Sequence, residues 1–329
     1  MDLRPFIKDT AQLQTGIRLI QNRDLFYQPF ILSDDVEVGE GMNFCNKYAN
    51  VDNVFDLNAY AKGIDLGERK QPSDLSWFRK CNQEYRQIYE YLVDQIAKNS
   101  AEPIQDLDFC EIGCNTGLTL FMLAKAGARS CTGVDWNEMS PVFNWLNDVL
   151  GTRVSFRKGI YSNLRHAIDG FDVKPVDIMI NTVFLNHQCD PLQFLCYICD
   201  RAKKGVFLWV LIEDSRNEDD CFVRYPATPP HKILDTKARF PLSFNNDVRL
   251  SEPLLRVALS KLGFSDVRPV ERYLPSEKWM DFQSGFKMYY AKRTSNTKSA
   301  YWESDVTQRL RTISVRLRSA VRRLLGAQR

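Results

Sequence analysis

A chain of 329 residues, 44 % of them hydrophobic, is long enough for one large domain with additions and apolar enough to bury a full core. Charge nearly balances overall, and the small surplus is local: the last 29 residues hold seven arginines against Glu303 and Asp305, a net +5 that leaves the rest at −2. That distribution gives no basis for a nucleic-acid-binding body. With no charged start leading into an apolar stretch and no run of about 18 apolar residues, the expectation is a cytoplasmic protein.

Residues 1–100 carry no repeating strand and helix unit and are expected to form an N-terminal extension. Asp9 to Ile20 has helical spacing through Leu13, Ile17 and Ile20; Leu25 to Leu32 is an aromatic-rich extended piece interrupted by Pro29, and Gly39 and Gly41 mark a turn. From Asp74 to Ile96, Asp74 is placed to cap a helix with Trp77, Phe78, Cys81, Tyr85, Ile88, Tyr89, Leu92 and Ile96 on one face. Such a helix packs on a sheet or caps a substrate pocket, and the sequence leaves both open.

The most informative stretch is Asp108-Phe-Cys-Glu-Ile-Gly-Cys-Asn-Thr-Gly117. Leu107, Phe109, Cys110 and Ile112 suit a buried parallel strand, and a helical pattern starts at Thr116. The tight turn between them needs Gly113 and Gly117, which let a ligand approach bare backbone, and Asn115, which tolerates positive φ. A second strand follows at Cys131-Thr-Gly-Val-Asp135. Glu111 and Asp135 are two acceptors for a cationic, hydroxyl-rich nucleoside, Glu111 near its amino-acid end and Asp135 at its ribose. This set looks like the S-adenosyl-L-methionine site of class I methyltransferases. A nicotinamide site would want G-x-G-x-x-G with a helix N-terminus facing a pyrophosphate, whereas the spacing here is Gly113-x-x-x-Gly117.

Alternation continues with a helix near Glu138–Leu150, a strand at Arg153–Arg157, a short helix at Ser162–Ile168, a strand at Val176–Val183, a helix at Pro191–Ala202 and a strand at Gly205–Ile212. Residues 213–250 read as a long polar insertion, followed by helix Ser251–Leu262, strand Val267–Tyr273 and strand Phe286–Lys292. The succession predicts an α/β fold with a parallel, Rossmann-like sheet, helices on both faces and ligands at the carboxyl ends of the strands. The core domain is expected over 101–293, with 294–329 as a tail.

The strand ending at Asn181 and Thr182 delivers both to the rim where a cofactor lies, and the next turn carries Asn186 and His187. Histidine is suited to take a proton from a hydroxyl or amine, so His187 is the candidate catalytic base; the alternative is a histidine that only caps the following helix. Gly159-Ile160-Tyr161, Leu185-Asn186-His187 with Pro191-Leu192, and Leu262-Gly-Phe-Ser-Asp-Val267, together with Val134-Asp135, resemble the transferases related to the tRNA wobble-uridine carboxymethyltransferase. That resemblance implies that Gly113, Asp135, Trp136, Asn137, Ile160, Tyr161 and Thr182 line the cofactor. The residue before the histidine, a tyrosine in the carboxymethyl-transferring enzyme, is Asn186 here. The resemblance then favours ordinary S-adenosyl-L-methionine over a carboxylated cofactor.

Nine cysteines, several inside apparent strands and helices, read as reduced core thiols, and Cys196-x-x-Cys199 lacks a second pair at zinc spacing. No metal site is expected, since the fourth strand of the nucleotide unit ends in Asn181 and Thr182 rather than carboxylates. Glu213 and Asp214, after the fifth strand, are placed to bind an acceptor hydroxyl, but an exposed charged loop is the favoured reading. Arg224-Tyr225, His231-Lys232 and Lys237-Arg239 are either an anion clamp or solvated loop, and His166 and His231 receive no role. In the tail, Leu310, Ile313, Leu317, Val321 and Leu324 share a helical face ringed by arginines, a basic amphipathic helix over 307–325 suited to a peripheral membrane surface or a protein partner, with RNA contact or a solvated helix docked on its own domain as alternatives. The expected activity is methyl transfer to oxygen or nitrogen of a small-molecule or glycan-type acceptor. Transfer to tRNA is the alternative, and a non-catalytic cofactor-binding partner subunit a third.

Overall fold

The computed structural model describes residues 11, 12, 15, 19, 28–33, 36–38, 75–159, 173–188, 190–214, 217, 220–224, 248–271, 273 and 286–296. The expected turn at Gly39 and Gly41, the helix Ser162–Ile168, the His231 and Lys237 groups and the basic tail helix lie outside those residues. So do Ile160, Tyr161 and His166.

In chain order the elements are strands β1 (Phe30–Ser33) and β2 (Val36–Val38), helix α1 (Leu75–Asn99), β3 (Asp108–Ile112), α2 (Leu118–Lys125), β4 (Ser130–Asp135), α3 (Ser140–Leu150) and β5 (Val154–Lys158). Then come β6 (Val176–Thr182), α4 (Pro191–Arg201), β7 (Ala202–Glu213), β8 (Val223–Arg224), β9 (Arg249–Ser251), α5 (Glu252–Lys261), β10 (Asp266–Val270) and β11 (Phe286–Lys292). β1 and β2 pair with each other. The main sheet runs β10-β11-β7-β6-β3-β4-β5, with β9 beside the end of β7 and β8 beside β9. This is a Rossmann-like, doubly wound α/β sheet. Its strand order reverses between β3 and β6, the kind of place where such sheets open a crevice at their carboxyl ends.

The expectation of a parallel sheet is corrected at one edge, where β11 runs antiparallel to both β7 and β10. An antiparallel neighbour needs no crossover helix, and none of the residue types in β11 announces its direction. The insertion is also less irregular than expected, because β8 and β9 extend the sheet from within it.

Alternation along the central strands divides the core. Phe109, Ile178, Ile180, Phe207 and Trp209 face α1, α2 and α3, while Cys110, Ile112, Met179, Val206 and Leu208 face α4 and α5. Helix α1 contributes Tyr85, Ile88, Tyr89, Leu92, Val93 and Ile96 to the first of these layers, so it packs on the sheet rather than standing off it. Each such large side chain contributes about 1.5–3 kcal/mol on burial. Helix starts are marked by short polar caps: the Asp190 carboxylate accepts from Gln193 N at 2.9 Å, Ser251 Oγ accepts from Leu254 N at 3.4 Å, and proline stands at the first or second helical position of each. Among the described residues no helix is long and apolar enough to cross a membrane.

Candidate functional site

Beyond Ile112 the chain leaves β3 in a turn held to the neighbouring strand. Gly113 N and Cys114 N both donate to Val134 O, at 2.8 and 3.2 Å, and Gly117 N closes the turn on Cys114 O at 2.8 Å. The geometry demands left-handed backbone at Gly113 (φ +77°), Asn115 (φ +49°) and Gly117 (φ +78°). Asn115 tolerates it because its own Oδ1 accepts from Thr116 N at 2.8 Å. The bare faces of the two glycines are filled by aromatic rings rather than left open. A Cβ on Gly113 would lie 2.4 Å from the Phe184 ring, and one on Gly117 2.5 Å from that of Phe143.

Asp135, at the end of β4, binds the far side of this turn. Its Oδ2 accepts from Asn115 N at 2.9 Å, and its Oδ1 accepts from Asn137 N at 2.9 Å and Asn137 Nδ2 at 3.2 Å. The structure thus gathers Asn115, Asp135 and Asn137, with half-buried Trp136 between the last two. Burial pushes the Asp135 carboxyl upward, and these donated bonds oppose the rise.

Glu111 lies beneath the turn, wholly buried. Thr182 Oγ1 donates to its Oε1 at 2.5 Å, while its Oε2 meets no hydrogen-bond donor among the described residues. Desolvation raises this carboxyl to about 8; the Thr182 bond opposes the rise and the negative charge of Asp135 adds to it. Thr119, whose hydroxyl favours the ionised form, has no partner at hydrogen-bonding geometry among the described residues. A buried carboxyl with one lone oxygen and no cation is a costly arrangement unless something else completes it.

Across the switch point, Asn181 has both ends of its amide engaged: Nδ2 donates to Ile112 O at 3.3 Å, and Oδ1 accepts from Leu185 N at 3.0 Å. It ties the exits of β3 and β6 together, whereas Thr182 beside it reaches Glu111. Val183 follows with φ +58°, a conformation that β-branched residues avoid, and is held there by its N donating to Trp209 O at 2.8 Å. Among the described residues the only non-glycine positive φ values belong to Asn115 and Val183, one on each side of this rim. His187 is half-buried in the short 3-10 turn after it, its ring 6.3 Å from that of Phe184. The structure therefore puts His187 on the turn whose Phe184 covers Gly113.

Two participants escaped sequence reasoning. Gln28 accepts from Thr116 Oγ1 at 2.7 Å and from Leu118 N at 3.1 Å, and Tyr89 lies at 3.5 Å from the Gln28 amide nitrogen. Burial pushes the Tyr89 phenol up to about 12, so it stays neutral. No local spacing announces Gln28, because its partners stand 88 and 90 residues away.

Further along the same edge, Glu213 is not the solvated loop residue expected. Its side chain is 16 % exposed and pairs with Arg224 and Arg249, while Asp214, 88 % exposed, pairs with Lys287 at 3.1 Å. Cys196 and Cys199 sit in α4; among the described residues they form no disulfide, and no group of His, Cys, Asp and Glu is arranged to hold a metal.

No family model matches the chain. It is 27 % identical over 185 residues to a tRNA U34 carboxymethyltransferase from Pseudomonas fluorescens, an alignment covering 53 % of this chain and 52 % of that protein. The chain thus spans about half the length of the curated relative it matches. Among solved structures, it is similar to the magnesium protoporphyrin IX methyltransferase of Synechocystis PCC 6803 with bound SAH (TM-score 0.44, 16 % identity, 68 % of this chain and 90 % of that one). It is also similar to the N-terminal domain of EvdMO1 in the presence of SAH and D-fucose (TM-score 0.45, 15 % identity, 77 % and 97 %). At such scores these structures carry no information about ligand or activity, so the functional reading rests on the chain's own residues.

Proposed function

We propose that this protein is an S-adenosylmethionine-dependent methyltransferase acting on oxygen or nitrogen of a small-molecule or glycan-type acceptor. The observation that carries the reading is the pair of buried carboxyls at the β3 and β4 exits, joined through the glycine turn and met, among the described residues, only by neutral donors. A nucleoside with a cationic end supplies what Glu111 lacks, and its ribose diol suits the lone pairs left on Asp135. A dinucleotide fits poorly. Its phosphates would stand beside two buried acids, and the α2 N-terminus that should receive them already has its first amide bonded to Gln28.

When bound, S-adenosylmethionine supplies an electrophilic methyl group on a sulfonium centre, and transfer is an in-line displacement governed by positioning. This chain's residues provide that positioning. Glu111 and Thr182 hold the charged end, Asp135 with Asn115, Trp136 and Asn137 holds the nucleoside, and Ile160 and Tyr161 are proposed to contact the cofactor as well. His187 takes the acceptor's proton. Asn186, standing where the carboxymethyl-transferring enzyme has a tyrosine, favours the uncarboxylated cofactor.

Equilibrium calorimetry with S-adenosylmethionine and S-adenosylhomocysteine tests the reading, with binding in the micromolar range expected. Silence at millimolar ligand would end it. The curated relative supports tRNA as a second acceptor; tRNA binding that weakens steeply with salt would favour it over a small molecule.

A further inference from the structure

Gln28 lies outside the strand and helix unit that forms the glycine turn, yet its side chain is built into that turn. The residue is 1 % exposed, and its single acceptor oxygen takes two donors, the Thr116 hydroxyl and the Leu118 amide. Leu118 N belongs to the first residue of α2, one of the amides that a helix start leaves without an intrahelical acceptor. Gly117, in the capping position, has no side chain to receive it. Gln28 thus supplies through space the cap that Ser or Asp ordinarily supplies from the adjacent position. Two residues on, Phe30 meets Phe121 of α2 edge to face, with centroids 6.2 Å apart. Residues 28–30 are therefore fastened to α2 at two points, and Thr116, one of the bonded groups, adjoins the Asn115 whose amide holds Asp135.

We propose that Gln28 is a positioning residue of the cofactor site, so that ordering of the glycine turn and docking of residues 28–30 on α2 form one coupled equilibrium. The proposal rests on the cofactor reading above. A ligand that requires the ordered turn strengthens the docking, and loss of the tie weakens the ligand by the same factor.

The full chain, the Gln28→Met variant, which keeps side-chain length without polar atoms, the Thr116→Val variant, which removes one hydroxyl, and the double variant are titrated with S-adenosylhomocysteine by calorimetry. Thermal unfolding of each ligand-free protein is recorded alongside. Gln28→Met is expected to weaken binding roughly tenfold, and Thr116→Val by less. The double variant should be no weaker than Gln28→Met, because both changes sever one tie. A lowered unfolding temperature with unchanged affinity would show a purely structural residue and overturn the proposal, as would effects that multiply in the double variant. If Gln28→Met fails to fold, Thr116→Val decides, since it leaves the Leu118 bond in place. Absence of binding by the unaltered protein sinks the cofactor reading and this proposal with it; binding unaffected by either change sinks the proposal alone.

Discussion

The two ends of the same central strands treat their acidic residues in opposite ways. At the amino ends, Asp108 of β3 and Asp177 of β6 share Arg129, and Lys204 stands 3.5 Å from Asp177. The Arg129 guanidinium holds the Asp108 carboxyl below its usual range. At the carboxyl ends, Glu111, three residues after Asp108, and Asp135 have only neutral donors among the described residues, and burial drives both carboxyls upward. Asp108 and Asp177 thus come with their cations, as does Glu213 with Arg224 and Arg249. The rim that lacks one is where a cationic ligand has something to add.

The largest loss is expected from a substitution in the turn itself. Gly113→Ala places a side chain in left-handed backbone against the Phe184 ring, and denaturant unfolding should register a loss of about 2–4 kcal/mol. Next in size, Asp135→Ala should weaken S-adenosylhomocysteine about ten- to a hundredfold by calorimetry, through the lost charge-assisted bonds and the loosened Asn115.

A third effect concerns pH in the ligand-free protein. Glu111 has a folded-state value near 8 against an ordinary 4.5, so the fold keeps a proton that the unfolded chain gives up. Stability should therefore fall as pH rises from about 4.5 to about 8 and level off above, by a loss on the order of a few kcal/mol. Glu111→Gln removes that slope, which thermal melts across the range would record; an unchanged slope would show that another group titrates. The smallest effect serves as the control. Arg129→Ala should lower the unfolding midpoint and leave ligand affinity untouched, since its carboxylates lie at the other end of the strands.

The parts of the site that sequence disclosed were local in origin. Gly113, Asn115 and Gly117 betray their backbone because few residues accept positive φ, and the β3, α2 and β4 boundaries follow from a change of hydrophobic period within thirty residues. What escaped was long-range. The direction of β11 depends on a connection rather than on its residues, and the pairing of Glu213 depends on two arginines brought in by β8 and β9. Gln28 reads only as a polar residue in an aromatic run until the fold sets it against Thr116. Val183 gives no warning at all, since its left-handed backbone is imposed by the junction with Trp209.

Proton release on binding reads the ionisation of Glu111 itself. Calorimetric titration with S-adenosylmethionine at neutral pH, in buffers of different ionisation enthalpy, should show a proton leaving the protein as the cationic ligand converts Glu111 to its charged form, and no such release in Glu111→Gln. Binding without proton release, or equal release from both proteins, would contradict the account.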